Sequence, residues 1–230
     1  MFHDPERFAF AARLKAQWTV VRDELHALAR QEFQSWPEHY HYGERGWDTF
    51  DLYAFGHRQA ENCAKCPRTA ELLQQIPGLM MAGFSRLGPG THIKPHKGYD
   101  GYAGHILRFH LGLDVPGNCA LRVGTQTQSW AEGECLVFDD SIEHEAWNRS
   151  DRERTVLLLD FLNPYRKRPW FLNPKFSPEL VNVIEAKQQR QRQTWPARLS
   201  WRVWKALHPD IVAQARQIRE GARAERAPSS

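Results

Sequence analysis

The side chains best suited to chemistry in this chain are imidazoles and guanidiniums gathered in its middle third. His96 lies in Gly90-Thr91-His92-Ile93-Lys94-Pro95-His96-Lys97-Gly98, and His144 in Phe138-Asp139-Asp140-Ser141-Ile142-Glu143-His144-Glu145-Ala146-Trp147. Each is expected in or beside a loop just after a strand. Two histidines from separate β segments suit a ferrous site whose remaining positions stay open for substrates. His92 and His96 are also close in sequence, but Pro95 forbids a helix between them, so a zinc-protease helix is excluded. A single histidine is structural more often than not; this pair gains meaning from the cations that accompany it.

Those cations are Arg108 and Arg154. In Ile106-Leu107-Arg108-Phe109-His110-Leu111-Gly112-Leu113 alternate residues of a strand share a face. Leu107, Phe109, Leu111 and Leu113 fall on one side, to be buried against a second sheet or the N-terminal helices. Ile106, Arg108 and His110 fall on the other. Arg154 begins Arg154-Thr155-Val156-Leu157-Leu158-Leu159-Asp160, a run apolar enough for a core strand. Lining a barrel interior with cations is costly unless something anionic meets them, and guanidiniums take carboxylates bidentately. Two arginines on one cavity point to a small dicarboxylate. The alternative is that both pair with internal acids such as Asp139, Asp140 or Asp160.

The elements that must hold these groups follow from the pattern around them. Residues 79–163 alternate short β-rich runs (80–87, 105–115, 120–123, 127–130, 134–138 and 155–161) with turns at Gly88-Pro89-Gly90, Pro116-Gly117-Asn118, Glu132-Gly133 and 148–151. That rhythm predicts an antiparallel double sheet of the jelly-roll kind. Residues 1–78 read mainly as helix: Phe8, Ala11, Leu14, Trp18, Val21, Leu25 and Leu28 recur at helical spacing. A strand-like stretch covers 49–55, and a second helix over 70–75 ends at Pro77-Gly78. The expected fold is thus mainly β with flanking helices. A single catalytic domain covers 1–165, and a basic helical C-terminal extension covers 166–230.

Composition agrees with a folded domain: 41% of residues are hydrophobic and 25% charged. No run is long and apolar enough for a membrane span, and the first residues lack the plan of a secretory signal. The expected location is cytoplasmic, with peripheral contact at the inner membrane surface as the alternative. The net charge of +4 is uneven: residues 166–230 hold 14 Lys/Arg against 5 Asp/Glu, a balance of +9, leaving −5 for the first 165. Of the four cysteines, Cys63 and Cys66 form a lone C-x-x-C outside any thioredoxin-like context, so packed thiols are expected over a redox or metal role.

Three segments in order carry a resemblance. They are Phe84-Ser85-Arg86-Leu87-Gly88-Pro89-Gly90-Thr91-His92 with Pro95-His96, Leu107-Arg108-Phe109-His110-Leu111-Gly112-Leu113, and Val137-Phe138-Asp139-Asp140-Ser141 with Glu143-His144-Glu145-Ala146-Trp147. From about Trp47 to Pro164 the chain resembles the aspartyl/asparaginyl β-hydroxylases, dioxygenases that depend on Fe(II) and 2-oxoglutarate. The resemblance implies a double-stranded β-helix with His96 and His144 as metal ligands. It also implies 2-oxoglutarate bound by Ser85, Arg108, His110 and Arg154. Arg154 with Ser85 would take the distal carboxylate, and Arg108 with His110 would line the keto-acid end. The usual iron triad reads His-x-Asp/Glu, whereas Gly98 follows His96 here. The carboxylate arm is absent, as in the animal members, and Asp100 lies too far along to replace it.

The implied reaction couples oxidative decarboxylation of 2-oxoglutarate, with O2, to hydroxylation of an unactivated carbon. The expected substrate is the β-carbon of an aspartyl or asparaginyl unit, peptidyl, carrier-bound or free. A lipid A acyl-chain hydroxylase is one alternative, because Trp195, Trp201 and Trp204 stand among Arg and Lys as in an interfacial helix. Their packing on the barrel is the plainer reading. A carboxylate after the first histidine, expected of lipid A enzymes, is missing, which favours the aspartyl substrate. A non-catalytic cupin-like binding protein is the other alternative. No nucleic-acid partner is expected, since no binding motif accompanies the basic residues.

Overall fold

The computed structural model describes residues 1–36, 41, 46–98 and 102–166. These lie in one compact unit, Met1–Arg168. The basic extension with Trp195, Trp201 and Trp204, and the loop residues Tyr99 and Asp100, lie outside the described residues.

In chain order the elements are β1 (Phe2–His3), α1 (Ala9–Ala16), α2 (Trp18–Ala27), β2 (Gln34–Ser35), β3 (Trp47–Ala54), β4 (His57–Arg58), α3 (Ala60–Lys65) and α4 (Pro67–Gln74). The β-rich part follows with β5 (Leu79–Leu87), β6 (His92–His96), β7 (Ile106–Asp114), β8 (Cys119–Val123), β9 (Gln126–Ser129), β10 (Cys135–Phe138), β11 (His144–Asn148) and β12 (Arg154–Leu162). Two antiparallel sheets result. The larger has the order β1-β10-β7-β12-β5-β3-β2, with β4 beside β3; the smaller has the order β6-β11-β8-β9. The expected mainly β double sheet with N-terminal helices is what forms.

Period-two alternation sorts the larger sheet into two faces. Leu107, Phe109, Leu111 and Leu113 of β7 join Leu157, Leu159 and Phe161 of β12 beneath the helices, in one cluster with Phe8, Phe10, Leu14, Val21 and Leu25. The apolar side of β7 therefore meets the N-terminal helices and not the second sheet. Phe10 packs its ring 5.6 Å from Phe109 and 5.0 Å from Phe161. On the other face Trp47, Leu87, Phe138 and Val156 meet Ile93, Leu121, Val123 and Ala146 of the smaller sheet. The site residues lie on this inner face.

Three local readings differ from expectation. The helical face foreseen over 8–28 is cut at Gln17 into α1 and α2. The segment of His96, expected as loop, is strand β6. Proline is tolerated there because β6 is the edge of its sheet, where an amide can go unpaired. His144 likewise belongs to strand β11. In addition, β1 at the chain start pairs with β10, which no alternation in so short a segment foretold.

Cys63 and Cys66 are fully buried and unbridged. The Cys63 thiol donates to Leu52 O at 3.3 Å. Burial, with the nearby Glu24 carboxylate, pushes the Cys66 thiol up to about 12. Both are packed thiols, far from the thiolate state that redox or metal chemistry needs.

Candidate active site

His144 and His96 are directly paired in the β11–β6 register. Adjacent strands carry opposed side chains on one face, so the imidazole centroids stand 4.3 Å apart. Each ring is tied at the same atom: His96 Nδ1 to Lys94 O and His144 Nδ1 to Ile142 O, both at 2.8 Å. A carbonyl only accepts, so Nδ1 carries the proton and Nε2 keeps its lone pair. This is the arrangement in which a metal-binding imidazole is oriented by its other nitrogen. Burial, then the neighbouring His96, lowers the His144 pKa well below the ordinary histidine value, which keeps it neutral. Among the described residues no group of three or more His, Cys, Asp or Glu converges to hold a metal.

Asp140 explains the glycine after the first histidine. Its Oδ1 lies 3.4 Å from His144 Nε2, and its main-chain oxygen accepts from Gly98 N at 2.9 Å. A Cβ at position 98 would collide with Asp140 Oδ2. The space into which a side chain at 98 would project is thus filled from across the site by another carboxylate. Sequence reasoning considered Asp140 only as an arginine partner. His41 was also missed; its ring lies 4.4 Å from that of His96.

The two arginines have opposite surroundings. Arg108 meets Asp160 in a two-pronged contact, Nε to Oδ1 at 2.7 Å and Nη2 to Oδ2 at 2.9 Å, and its Nη1 stands 2.7 Å from Asp140 Oδ1. Burial alone would lower its pKa, but the two carboxylates outweigh burial and raise it, so it stays cationic. The internal-acid alternative is therefore realised for Arg108. Of its five N–H donors, only those not facing Asp140 and Asp160 remain for the keto-acid role that the resemblance implies.

Arg154 is 2% exposed and meets no carboxylate among the described residues. Its Nη1 reaches Ser85 O at 3.4 Å, its plane lies 4.4 Å over the Trp130 ring, and its Nε has no partner. Burial lowers its pKa to about 10. An unpaired buried guanidinium is expensive, and this one opens on a cavity that it shares with Ser85, Arg108, His110, His96 and His144. All six residues that the sequence singled out are brought together there.

Trp130 links two of them. Its indole N–H donates to His110 Nδ1 at 3.2 Å. An indole nitrogen can only donate, so Nδ1 is the acceptor and the His110 proton sits on Nε2. That atom is buried without a partner. Burial, then Arg154 and Arg108, holds the His110 pKa well below its usual value. Ser85 is buried too, its hydroxyl accepting from Trp47 Nε1 at 3.0 Å. Trp130 was not foreseen, because it follows β9 in a segment with no other sign of chemistry.

This geometry fits iron and 2-oxoglutarate. Two imidazoles whose Nε2 keeps its lone pair line one cavity, together with a guanidinium that meets no carboxylate among the described residues and an N–H donor without a partner. Comparison with known proteins identifies the architecture. The family model described as aspartyl/asparaginyl beta-hydroxylase matches residues 15–164. The chain belongs to this family. It is 40% identical over 182 residues to the ornithine lipid ester-linked acyl 2-hydroxylase of Rhizobium tropici, covering 74% of this chain and 63% of that protein. The aspartyl/asparaginyl beta-hydroxylase of Homo sapiens is 34% identical over 159 residues, which are 66% of this chain and 21% of that one. A solved oxidoreductase of the 2OG-Fe(II) oxygenase family from Burkholderia pseudomallei aligns over 66% of this chain and 89% of its own, at 12% identity and a TM-score of 0.49.

Proposed function

We propose that this member of the family is an Fe(II)- and 2-oxoglutarate-dependent hydroxylase that oxidises a CH2 next to a carbonyl carbon, and that its substrate is an acyl chain of an amino-acid-bearing polar lipid. The observation that carries the reaction class is Arg154, a buried cation that meets no carboxylate among the described residues and shares a cavity with the paired imidazoles of His96 and His144.

When bound, ferrous iron would let dioxygen act as the oxidant on two molecules at once: one oxygen atom would turn a C–H bond into C–OH, and the other would enter 2-oxoglutarate as it breaks into succinate and carbon dioxide. His96 and His144 hold the metal through Nε2. Arg154 receives the distal carboxylate beside Ser85, and its charge is then neutralised where water is excluded. His110 donates its Nε2 proton in a hydrogen bond to the keto acid. Arg108 is locked between Asp140 and Asp160, so it presents its remaining N–H groups from a fixed position. Asp140 offers a carboxylate oxygen next to His144 Nε2, in the sector that a triad carboxylate would otherwise occupy.

The two relatives' names describe related bond changes. Position 2 of an acyl chain adjoins its carbonyl, and the β-carbon of an aspartyl unit adjoins its side-chain carbonyl. The longer and more similar match, to the rhizobial acyl hydroxylase, favours an acyl chain over the aspartyl β-carbon expected from sequence. The aspartyl unit stays as the second reading, supported by the match to the human protein. An acyl substrate would be met at the inner membrane surface by an otherwise cytoplasmic protein.

Anaerobic addition of ferrous iron and 2-oxoglutarate is expected to give a weak visible band near about 500 nm, from the bidentate keto-acid chelate. It should fade with oxygen as succinate forms, and His144→Ala protein should give neither. Metal binding without the band would move the cupin-like binding protein to the front. Offering an amino-acid-bearing acyl lipid and an aspartyl peptide in parallel, and weighing each product for one added oxygen, decides the substrate.

A further inference from the structure

Beside the cofactor cavity the inner face of the larger sheet carries an acid, Asp51, that has no ion pair among the described residues. Asp51 of β3 pairs across the sheet with Gly83 of β5, Gly83 with Leu158 of β12, and Leu158 with His110 of β7. The four residues form one row, so Asp51 lies roughly 14 Å from His110, three strand spacings of about 4.8 Å. The other acids on this inner side have cations: Asp140 and Asp160 share Arg108, and Asp139 meets Arg166. Asp51 has no ion pair among the described residues. Its carboxylate accepts from the Thr49 side chain, and the Asn62 amide binds only its main-chain oxygen.

The space around it adjoins the cofactor cavity. A recess lined by Asp51, Thr49, Trp36, Trp47, Tyr53 and Met81 shares Trp47, Ser85 and Leu158 with the cofactor cavity. Trp36 and Trp47 stack with centroids 4.9 Å apart. Gly83 keeps the recess open: a Cβ there would come within 2.6 Å of Phe50 O and 3.2 Å of Asp51 Oδ1. Burial raises the Asp51 pKa, with Thr49 opposing, so the carboxylate gains from meeting a positive charge.

We infer that Asp51, within the Trp36–Trp47 recess, binds a primary ammonium group of the substrate while the carbon to be hydroxylated lies near His96 and His144. Tryptophan faces attract organic cations, whereas a hydrated metal ion would seek more oxygen ligands than this recess offers. The separation along the sheet requires an extended substrate, with its ammonium and its oxidised carbon at different ends. The inference rests on the acyl-lipid reading for the identity of that substrate, but the cation site itself can be tested without it.

The probe is n-pentylammonium, with n-pentanol as its neutral counterpart, titrated into protein loaded with ferrous iron and 2-oxoglutarate under anaerobic conditions and followed by tryptophan fluorescence. The parent should bind the ammonium at least roughly 30-fold tighter than the alcohol, the discrimination expected of a desolvated charge pair. Asp51→Asn should lose that preference while keeping the visible keto-acid band, which shows that the variant is folded and loaded. Asp51→Glu should restore part of it. Equal binding of ammonium and alcohol by the parent, or an undiminished preference in Asp51→Asn, overturns the inference. If the ammonium binds as expected but no acyl lipid is hydroxylated, the cation site stands and the lipid reading fails.

Discussion

Arg154 is the residue on which the cofactor assignment turns, and its electrostatics make an unusual demand. Its pKa of about 10 lies below the ordinary 12.5. Between those values the unfolded chain holds a proton that the native state lacks, so its contribution makes stability rise with pH in that window. At neutral pH the whole penalty stands, on the order of 3 kcal/mol. Arg154→Met should therefore raise the unfolding free energy of the ligand-free protein by about 1–3 kcal/mol, and abolish the thermal stabilisation that 2-oxoglutarate gives the parent. Melting curves with and without the keto acid check both; a variant less stable than the parent would mean that the guanidinium is compensated after all. Trp130 acts one step further out, by fixing the His110 tautomer and supporting the Arg154 plane. Trp130→Phe keeps an aromatic ring, though a smaller one, and deletes the N–H. It should weaken 2-oxoglutarate binding about 10- to 100-fold, as loss of such orienting contacts does, with metal affinity unchanged. Calorimetric titration of each ligand separates the two.

Among the elements, β6 and β11 decide the metal site. Their antiparallel pairing sets His96 opposite His144, and the backbone carbonyls two residues before each histidine fix the rings. Gly98 lies two residues after His96, the last residue of β6, and this position invites Gly98→Asp as a restored His-x-Asp triad. The geometry predicts otherwise, because Asp140 already fills that space. The added side chain must displace Asp140 and strip Arg108 of a partner. Metal affinity measured by calorimetry should stay at or below the parental value, and 2-oxoglutarate turnover should fall. A tighter metal site with retained turnover would show that Asp140 moves aside freely. Asn148 steadies the far end of β11. It is fully buried, and its amide donates to Leu87 O and Arg152 O at 2.9 and 2.7 Å. The turn before β12 is thereby held, and with it the start of the strand that carries Arg154.

Over the whole molecule the charge is divided between a core of −5 and the last 65 residues at +9. A lipid substrate gives that division a use, since basic residues near an anionic bilayer each contribute about 1 kcal/mol of attraction and lose it to salt. The full chain should co-sediment with anionic vesicles at low ionic strength and be released as salt rises. A chain ending after residue 168 should stay in solution under both conditions. Salt-independent binding would point to insertion of Trp195, Trp201 and Trp204 instead, and equal sedimentation of both chains would remove the extension from membrane contact.

Alternation and turn residues alone pointed to the double sheet, because one face of β7 is wholly apolar and β12 is an apolar run between turns. They also brought forward Arg108, His110 and Arg154, since cations and imidazoles inside apolar strands need a partner, and His96 with His144 as a pair beside separate β segments. The strand state of β6 was hidden, because a proline amid polar residues reads as a loop unless it is known to lie at a sheet edge. Only the tertiary structure decided which arginine was free. Arg108, Asp140 and Asp160 are far apart in the chain, and their charges cancel only once β7, β12 and the turn after β10 converge. Asp51 and Trp130 were silent for the same reason. Each owes its meaning to a neighbour on another strand, and a single strand's pattern shows which way a side chain faces but not what it meets there.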